Sequence, residues 1–212
     1  MTARIEQVRA RGETNAWIIG DRDEVIVIDP GSDAAAVLDE VGDREVLAVI
    51  CTHAHPDNIA AAVAVADRDE APVALHPRDR ILWRETYPDD NPEIEVEDGG
   101  TFEVADATLE VIHAGGHTLG SICLYCEDLN AVFTGHALTA EGPVRHDGEF
   151  RDFADQLTAI GEHLLPLPPG TRVLPGAGEE TTIAAAEKNF DSWVTAAQQQ
   201  TTQQQTAQPE AD

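Results

Sequence analysis

Apolar residues recur in short stretches through the first third of the chain, at Arg4 to Val8, at Ala16 to Ile19 and at Val25-Ile26-Val27-Ile28, which runs into Asp29-Pro30-Gly31. Runs this short, bounded by turn residues, predict meandering strands. Ser32 or Asp33 can then cap a helix through Ala34-Ala35-Ala36-Val37-Leu38, and Gly42 closes it before the apolar run Val46-Leu47-Ala48-Val49-Ile50. The pattern is one β-α-β step. Asn58 to Ala66 predicts an alanine-rich helix, Val73-Ala74-Leu75 a short strand and Asp79 to Thr86 a helix stopped by Pro88, with Asp89 to Gly100 as a polar connection.

A second group of strands follows at Thr101 to Val104, Thr108 to Ile112, Ser121 to Cys126 and Ala131 to Phe133. Phe153 to Leu165 predicts a helix ended by Pro166, Arg172-Val173-Leu174 a last strand, and Thr181 to Ala197 a final helix. Gln198 to Asp212 offers no apolar positions to bury, so a mobile tail is expected there. The expected organisation is a single domain over residues 1–197 and a Gln/Thr-rich tail over 198–212. Two strand groups with helices between and after them predict an α/β fold of two sheets packed face to face with helices outside, a four-layer αββα sandwich.

Charge narrows the partners. With 40 acidic against 13 basic residues, a formal charge of -27, the field repels nucleic acid and anionic lipid, so neither is an expected partner. The acidic excess is spread along the chain and reads as a well-solvated surface, with adaptation to high salt as the alternative. No stretch approaches the roughly 18 apolar residues of a membrane span. Three cysteines cannot all pair, and with no leader pattern at Met1 to Ala10 a soluble, cytoplasmic protein is expected. Cys123 and Cys126 fall on one strand, where residues three apart face opposite ways and cannot share a metal, so both are expected to pack. Cys51 ends an apolar run and is expected to be buried.

The chemistry is concentrated where the run at Val46 to Ile50 leaves the sheet as Thr52-His53-Ala54-His55-Pro56-Asp57-Asn58. Side chains at the carboxyl edge of such a sheet gather into sites, and two imidazoles two residues apart in extended chain face the same way, a chelating arrangement. A lone His-x-His is weak evidence. It gains weight from His117 in the glycine-rich turn Gly115-Gly116-His117-Thr118-Leu119-Gly120-Ser121, where glycine lets backbone approach a ligand closely.

Five segments in order carry a resemblance: Ile28-Asp29-Pro30-Gly31, the loop His53 to Asn58, Gly116 to Ser121, Phe133-Thr134-Gly135-His136-Ala137-Leu138, and Leu174-Pro175-Gly176-Ala177-Gly178. Over roughly residues 4 to 195 the chain resembles the metallo-β-lactamase superfamily, in particular its glyoxalase II-like hydrolase branch. The resemblance implies the metallo-β-lactamase fold, with His53, His55 and His117 as ligands of a first metal and Asp57 as the first ligand of a second. Three positions depart from the family pattern. Asn58 stands where a further loop histidine is expected, His136 where an aspartate bridges the two metals, and Ala177 where a late histidine completes the second site. Alanine has no donor atom and an amide is a poor ligand beside imidazole, so one metal per chain is expected rather than two.

What the resemblance implies for function is a metal-dependent, thioesterase-like hydrolase of a small thioester or ester. Its cofactor would be one zinc ion that activates water as the nucleophile. His136 stands open between two roles, fourth metal ligand and proton shuttle, and Asp57, released from a second metal, is a candidate to orient or deprotonate the water. Asn58, Asp29, His113 and His146 are expected to support the metal ligands or touch substrate, Asp29 by tying loops together. Two alternatives stay open: a pseudoenzyme that binds a small molecule at an altered metal site, and a mononuclear iron oxidoreductase like the family's persulfide dioxygenases. The partner expected is a small-molecule substrate; the oligomeric state is left open, a homodimer included.

Overall fold

Successive residues of the second strand part to opposite sides of its sheet: Trp17 and Ile19 enter one apolar layer, Ala16 and Ile18 another. The computed structural model describes residues 2–9, 14–144 and 153–207. Its first sheet has six strands in chain order: β1 (Arg4–Arg9), β2 (Asn15–Gly20), β3 (Glu24–Ile28), β4 (Glu45–Ile50), β5 (Val73–Leu75) and β6 (Ile94–Glu95). The second has six in the order β12-β11-β10-β9-β8-β7, from β7 (Thr101–Val104), β8 (Ala107–His113), β9 (Ile122–Cys126), β10 (Ala131–Gly135), β11 (Arg172–Pro175) and β12 (Thr181–Thr182). β1 to β3 pair antiparallel and β3 to β6 parallel. In the second sheet only β10 and β11 pair parallel.

Three apolar layers make this a four-layer αββα sandwich. The middle one takes Trp17, Ile26, Ile28 and Ile50 from the first sheet and Leu109, Ile122, Leu124, Phe133 and Leu174 from the second. Trp17 and Phe133 meet edge to face at 6.0 Å across it, and each such ring removed from water contributes roughly 2–3 kcal/mol. The outer layers seat α1 (Ala34–Val41), α3 (Ala62–Ala66) and α4 (Arg80–Thr86) on the first sheet, and α6 (Ile183–Ala207) on the second. The cysteines follow the strand alternation: Cys126 lies in the middle layer and Cys123 in the outer one, while Cys51 is buried under the first sheet's helices. Among the described residues no helix is long and apolar enough to cross a membrane.

Several elements differ from the sequence pattern, each for a local reason. The alanine-rich stretch is two short helices, α2 (Pro56–Ile59) and α3, because the Ala61 N–H leaves the helical ladder and donates to Gly31 O at 2.8 Å. The helix expected from Phe153 to Leu165 is α5 (Phe153–Ala159) followed by a π-helical turn, Ile160–Leu164, whose first carbonyl accepts from Leu165 N at 2.9 Å. Thr181 and Thr182 pair with β11 before the last helix begins, and that helix continues to Ala207, into the Gln/Thr-rich stretch. The polar connection before Gly100 hides β6, which adds to the parallel edge.

Candidate metal centre

The site begins with a strained residue. Asp29, just past β3, holds φ at +50°, a conformation that aspartate tolerates better than most side chains. Its carboxylate is buried and takes three donors: Thr52 N at 2.7 Å, Thr52 Oγ1 at 2.6 Å and Asn58 Nδ2 at 2.8 Å. Burial pushes its carboxyl up to about 6 in spite of those donors. The Thr52 hydroxyl proton is committed to Asp29, so at 3.1 Å from His53 Nδ1 the hydroxyl oxygen accepts the ring N–H. That chain fixes the His53 tautomer and leaves Nε2 as the ring's lone-pair atom.

The second strand group is pressed onto the same threonine. Ile122 N donates to Thr52 O at 2.9 Å, and a Cβ on Gly135 would lie 2.2 Å from Thr52 Oγ1. Only glycine fits at the end of β10, where φ is +49°, and the next residue is His136. The glycine-rich turn is held by Asp79, a residue that the sequence pattern assigned only to the start of a helix. Asp79 is fully buried and accepts from Ala54 N at 3.0 Å, Thr118 Oγ1 at 2.7 Å and Gly120 N at 2.7 Å. One carboxylate thereby locks the loop of His53 and His55 to the turn of His117, and burial holds its carboxyl above the usual range. The available signal was its place four residues after the short strand β5, at the same carboxyl edge of the sheet where Asp29 directly follows β3.

Within this frame His53, His55, His117 and His136 converge, all buried, with one ligand nitrogen from each inside a 4.8 Å span. His117 Nδ1 lies 3.2 Å from Val144 O, which it can reach only as a donor, so its Nε2 faces the cluster, 3.0 Å from His55 Nδ1. Two nitrogens bound to one tetrahedral zinc at about 2.0–2.1 Å sit about 3.3 Å apart, so this pair is already close to ligand spacing. Four imidazoles without a carboxylate among them suit zinc, iron or copper and poorly suit magnesium or calcium. The donor set fits a transition metal.

The other residues singled out by the sequence lie elsewhere. Asp57 is exposed on the first turn of α2, outside the cluster of four. Asn58 is buried but turned inward, donating to Asp29 Oδ1 and, at 3.1 Å, to His53 O. Ala177 forms a backbone bridge with Thr14. His113 stacks on His76 with centroids 4.7 Å apart and lies 3.0 Å from Leu119 O through Nε2, apart from the four. Burial, with the positive charges of His113 and Arg78, lowers the His76 imidazole to about 4. Behind Gly115 and Gly116 a cavity of about 230 Å³ is lined by Arg78, His113, Thr158 and His163. His146 lies outside the described residues.

The chain matches the Metallo-beta-lactamase superfamily over residues 9–177. A hydroxyacylglutathione hydrolase from Rhodobacter capsulatus is 33% identical over 189 residues, 87% of this chain and 69% of the relative. Among solved structures, the BLEG-1 B3 metallo-beta-lactamase superposes with a TM-score of 0.78 at 28% identity, over 89% of this chain and 97% of that one. ETHE1 from Myxococcus xanthus superposes at 0.74 and 27% identity, over 87% and 80%.

Proposed function

Because the chain belongs to the metallo-beta-lactamase superfamily, we propose that it is a hydrolase of a small thioester or ester that works with a single metal ion, zinc, at the cluster of His53, His55, His117 and His136. The observation that carries this reading is the set of four buried imidazoles with ligand nitrogens within 4.8 Å. The hydroxyacylglutathione hydrolase relative supports the thioester class. Zinc in such a site supplies Lewis acidity, which lowers the pKa of a water to about 7 and polarises a carbonyl. Everything else falls to the chain. His53 and His117 are held in one tautomer each by Thr52 and by Val144 O, which presents lone pairs instead of protons to the ion. Asp57, exposed on the first turn of α2, is assigned the task of taking the proton of the attacking water, and His136, acting in that step as a proton shuttle rather than as a fourth ligand, that of passing the proton on to the leaving thiolate or alkoxide.

The test is metal analysis of protein purified without a nickel column, followed by hydrolysis of a thioester panel. The expected result is about one zinc per chain, lost in His55→Ala together with hydrolysis and retained in Asp57→Ala, whose turnover falls roughly a hundredfold or more as expected for a lost general base. Two metals per chain, or none, would overturn the mononuclear reading. The second reading is an iron oxidoreductase, favoured by the ETHE1 likeness and by a donor set that iron also accepts; iron in the purified protein with oxygen uptake would move the assignment there. One zinc with no hydrolysis of any thioester, even in His136→Ala, would leave a closed, structural four-histidine site.

A further inference from the structure

Gln156 is a polar side chain buried to 1% exposure on α5, and no step of the proposed reaction uses it. Its Nε2 faces three main-chain carbonyls, Ala137 O at 2.9 Å, His136 O at 3.3 Å and Val144 O at 3.4 Å. The amide has two N–H donors, so the acceptors share them, with Ala137 best placed. Two of the three belong to the start of the loop after β10, at and next to His136. The third, Val144 O, is the carbonyl that the His117 ring addresses at 3.2 Å, and Val144 N donates back to His136 O at 3.3 Å.

The backbone of the same residue closes the other side. Gly116 precedes His117 with φ at +143°, and a Cβ there would lie 2.4 Å from both the nitrogen and the Cβ of Gln156. The turn can press onto α5 at that point only because Gly116 has no side chain. One residue therefore abuts the turn that carries His117 and grips the loop that carries His136. Beside the histidine cluster, the His117 contact to Val144 O joins the same two segments.

We infer that Gln156 is a positioning residue for the metal: it sets the His136 and His117 imidazoles relative to each other, and so the geometry and affinity of the four-nitrogen site. The inference rests on the metal-binding reading of the cluster. A side chain that held the loop for folding alone would not select among ligand geometries, whereas one that shares an acceptor with a ligand histidine must.

The test uses the full chain loaded with cobalt(II), whose visible bands report coordination, together with zinc affinity by chelator competition. Gln156→Met keeps the length and loses the donors; Gln156→Glu keeps the shape but sets a carboxylate against three carbonyls. Both are expected to weaken zinc binding ten- to a hundredfold, the range for outer partners of metal ligands, and to change the cobalt band intensity. In a His136→Ala background the loss from Gln156→Met should shrink, since one of the two ligands it positions is gone. Leu157→Ala, on the same helix and also buried, is the control: it should lower the melting temperature and leave the cobalt spectrum of the folded protein unchanged. If Gln156→Met behaves like Leu157→Ala, with zinc affinity within twofold of wild type and the same spectrum, the inference is wrong and the metal reading stands. Wild-type protein that takes up no cobalt would overturn both.

Discussion

The two ends of one short loop have gone different ways. His53 and His55 point into a buried cluster with His117 and His136, whereas two residues further on Asp57 is exposed and Asn58 is folded back onto Asp29 and His53 O. The second half of the loop is not idle. Asn58 Nδ2 supplies one of three donors to the Asp29 carboxylate, the same carboxylate that orients His53 through the Thr52 hydroxyl. A position where the family resemblance implies a ligand of a second ion here braces the histidine cluster instead.

The harshest way to break that contrast is to rebuild the missing half. Asn58→His, His136→Asp and Ala177→His together are expected to raise the metal content from about one to about two per chain, by restoring two imidazoles and a bridging carboxylate beside Asp57. A triple variant that still binds one ion would show that the corner is closed by more than ligand identity. Asn58→His alone should add no ion and should cost stability, about 1–3 kcal/mol by denaturant unfolding, because it removes a buried donor from Asp29.

Asp29→Asn tests the other half. Asparagine tolerates the same positive φ and can keep one acceptor oxygen, but its NH₂ would face Thr52 Oγ1, which must then accept and turn its own proton toward His53 Nδ1. His53 would be driven to carry its proton on Nε2, the atom needed by the ion. Zinc affinity is expected to fall ten- to a hundredfold with the fold intact by circular dichroism; unchanged affinity would mean that the hydroxyl relay does not set the His53 tautomer.

What could be read from the sequence depended on the range of the interaction. Strand alternation placed Cys123 and Cys126 on opposite faces, and the His-x-His spacing and the glycine-rich turn named His53, His55 and His117, because these signals are local; His136 was named only through the family resemblance. The break at Ala61 was illegible because the carbonyl that captures its N–H, Gly31 O, lies before the whole of α1 and β4. Asp79 and Gln156 were missed for the same reason: each looks like an ordinary helix residue until partners from distant segments surround it. Asn58 stood out in the sequence as a departure from the family pattern but not as a brace, since its partner, Asp29, comes from another strand end.

The smallest effect is a pH dependence of stability, and its sign is unusual for a carboxylate. Burial is the main cause that raises the Asp29 carboxyl from 3.8 to about 6. A folded-state value above the unfolded one means that the native protein holds the proton more tightly. The folded state is then favoured at low pH, and the Asp29 contribution is lost as pH rises from about 4 through about 6, becoming flat above about 7. Each tenfold difference in proton affinity between the two states corresponds to about 1.4 kcal/mol, so the ceiling is about 3 kcal/mol. Asp69, held below its usual range by Arg68, works in the opposite direction over lower pH, so the whole-protein curve mixes signs. The difference between wild type and Asp29→Asn isolates the Asp29 contribution. With metal removed by chelator, urea midpoints at pH 4, 5, 6 and 7 should show wild type losing stability relative to the variant by about 1 kcal/mol at each of the first two steps and by a smaller amount between 6 and 7. A difference that is flat from pH 4 upward would mean that Asp29 stays ionised in the fold, with its three donors outweighing its burial.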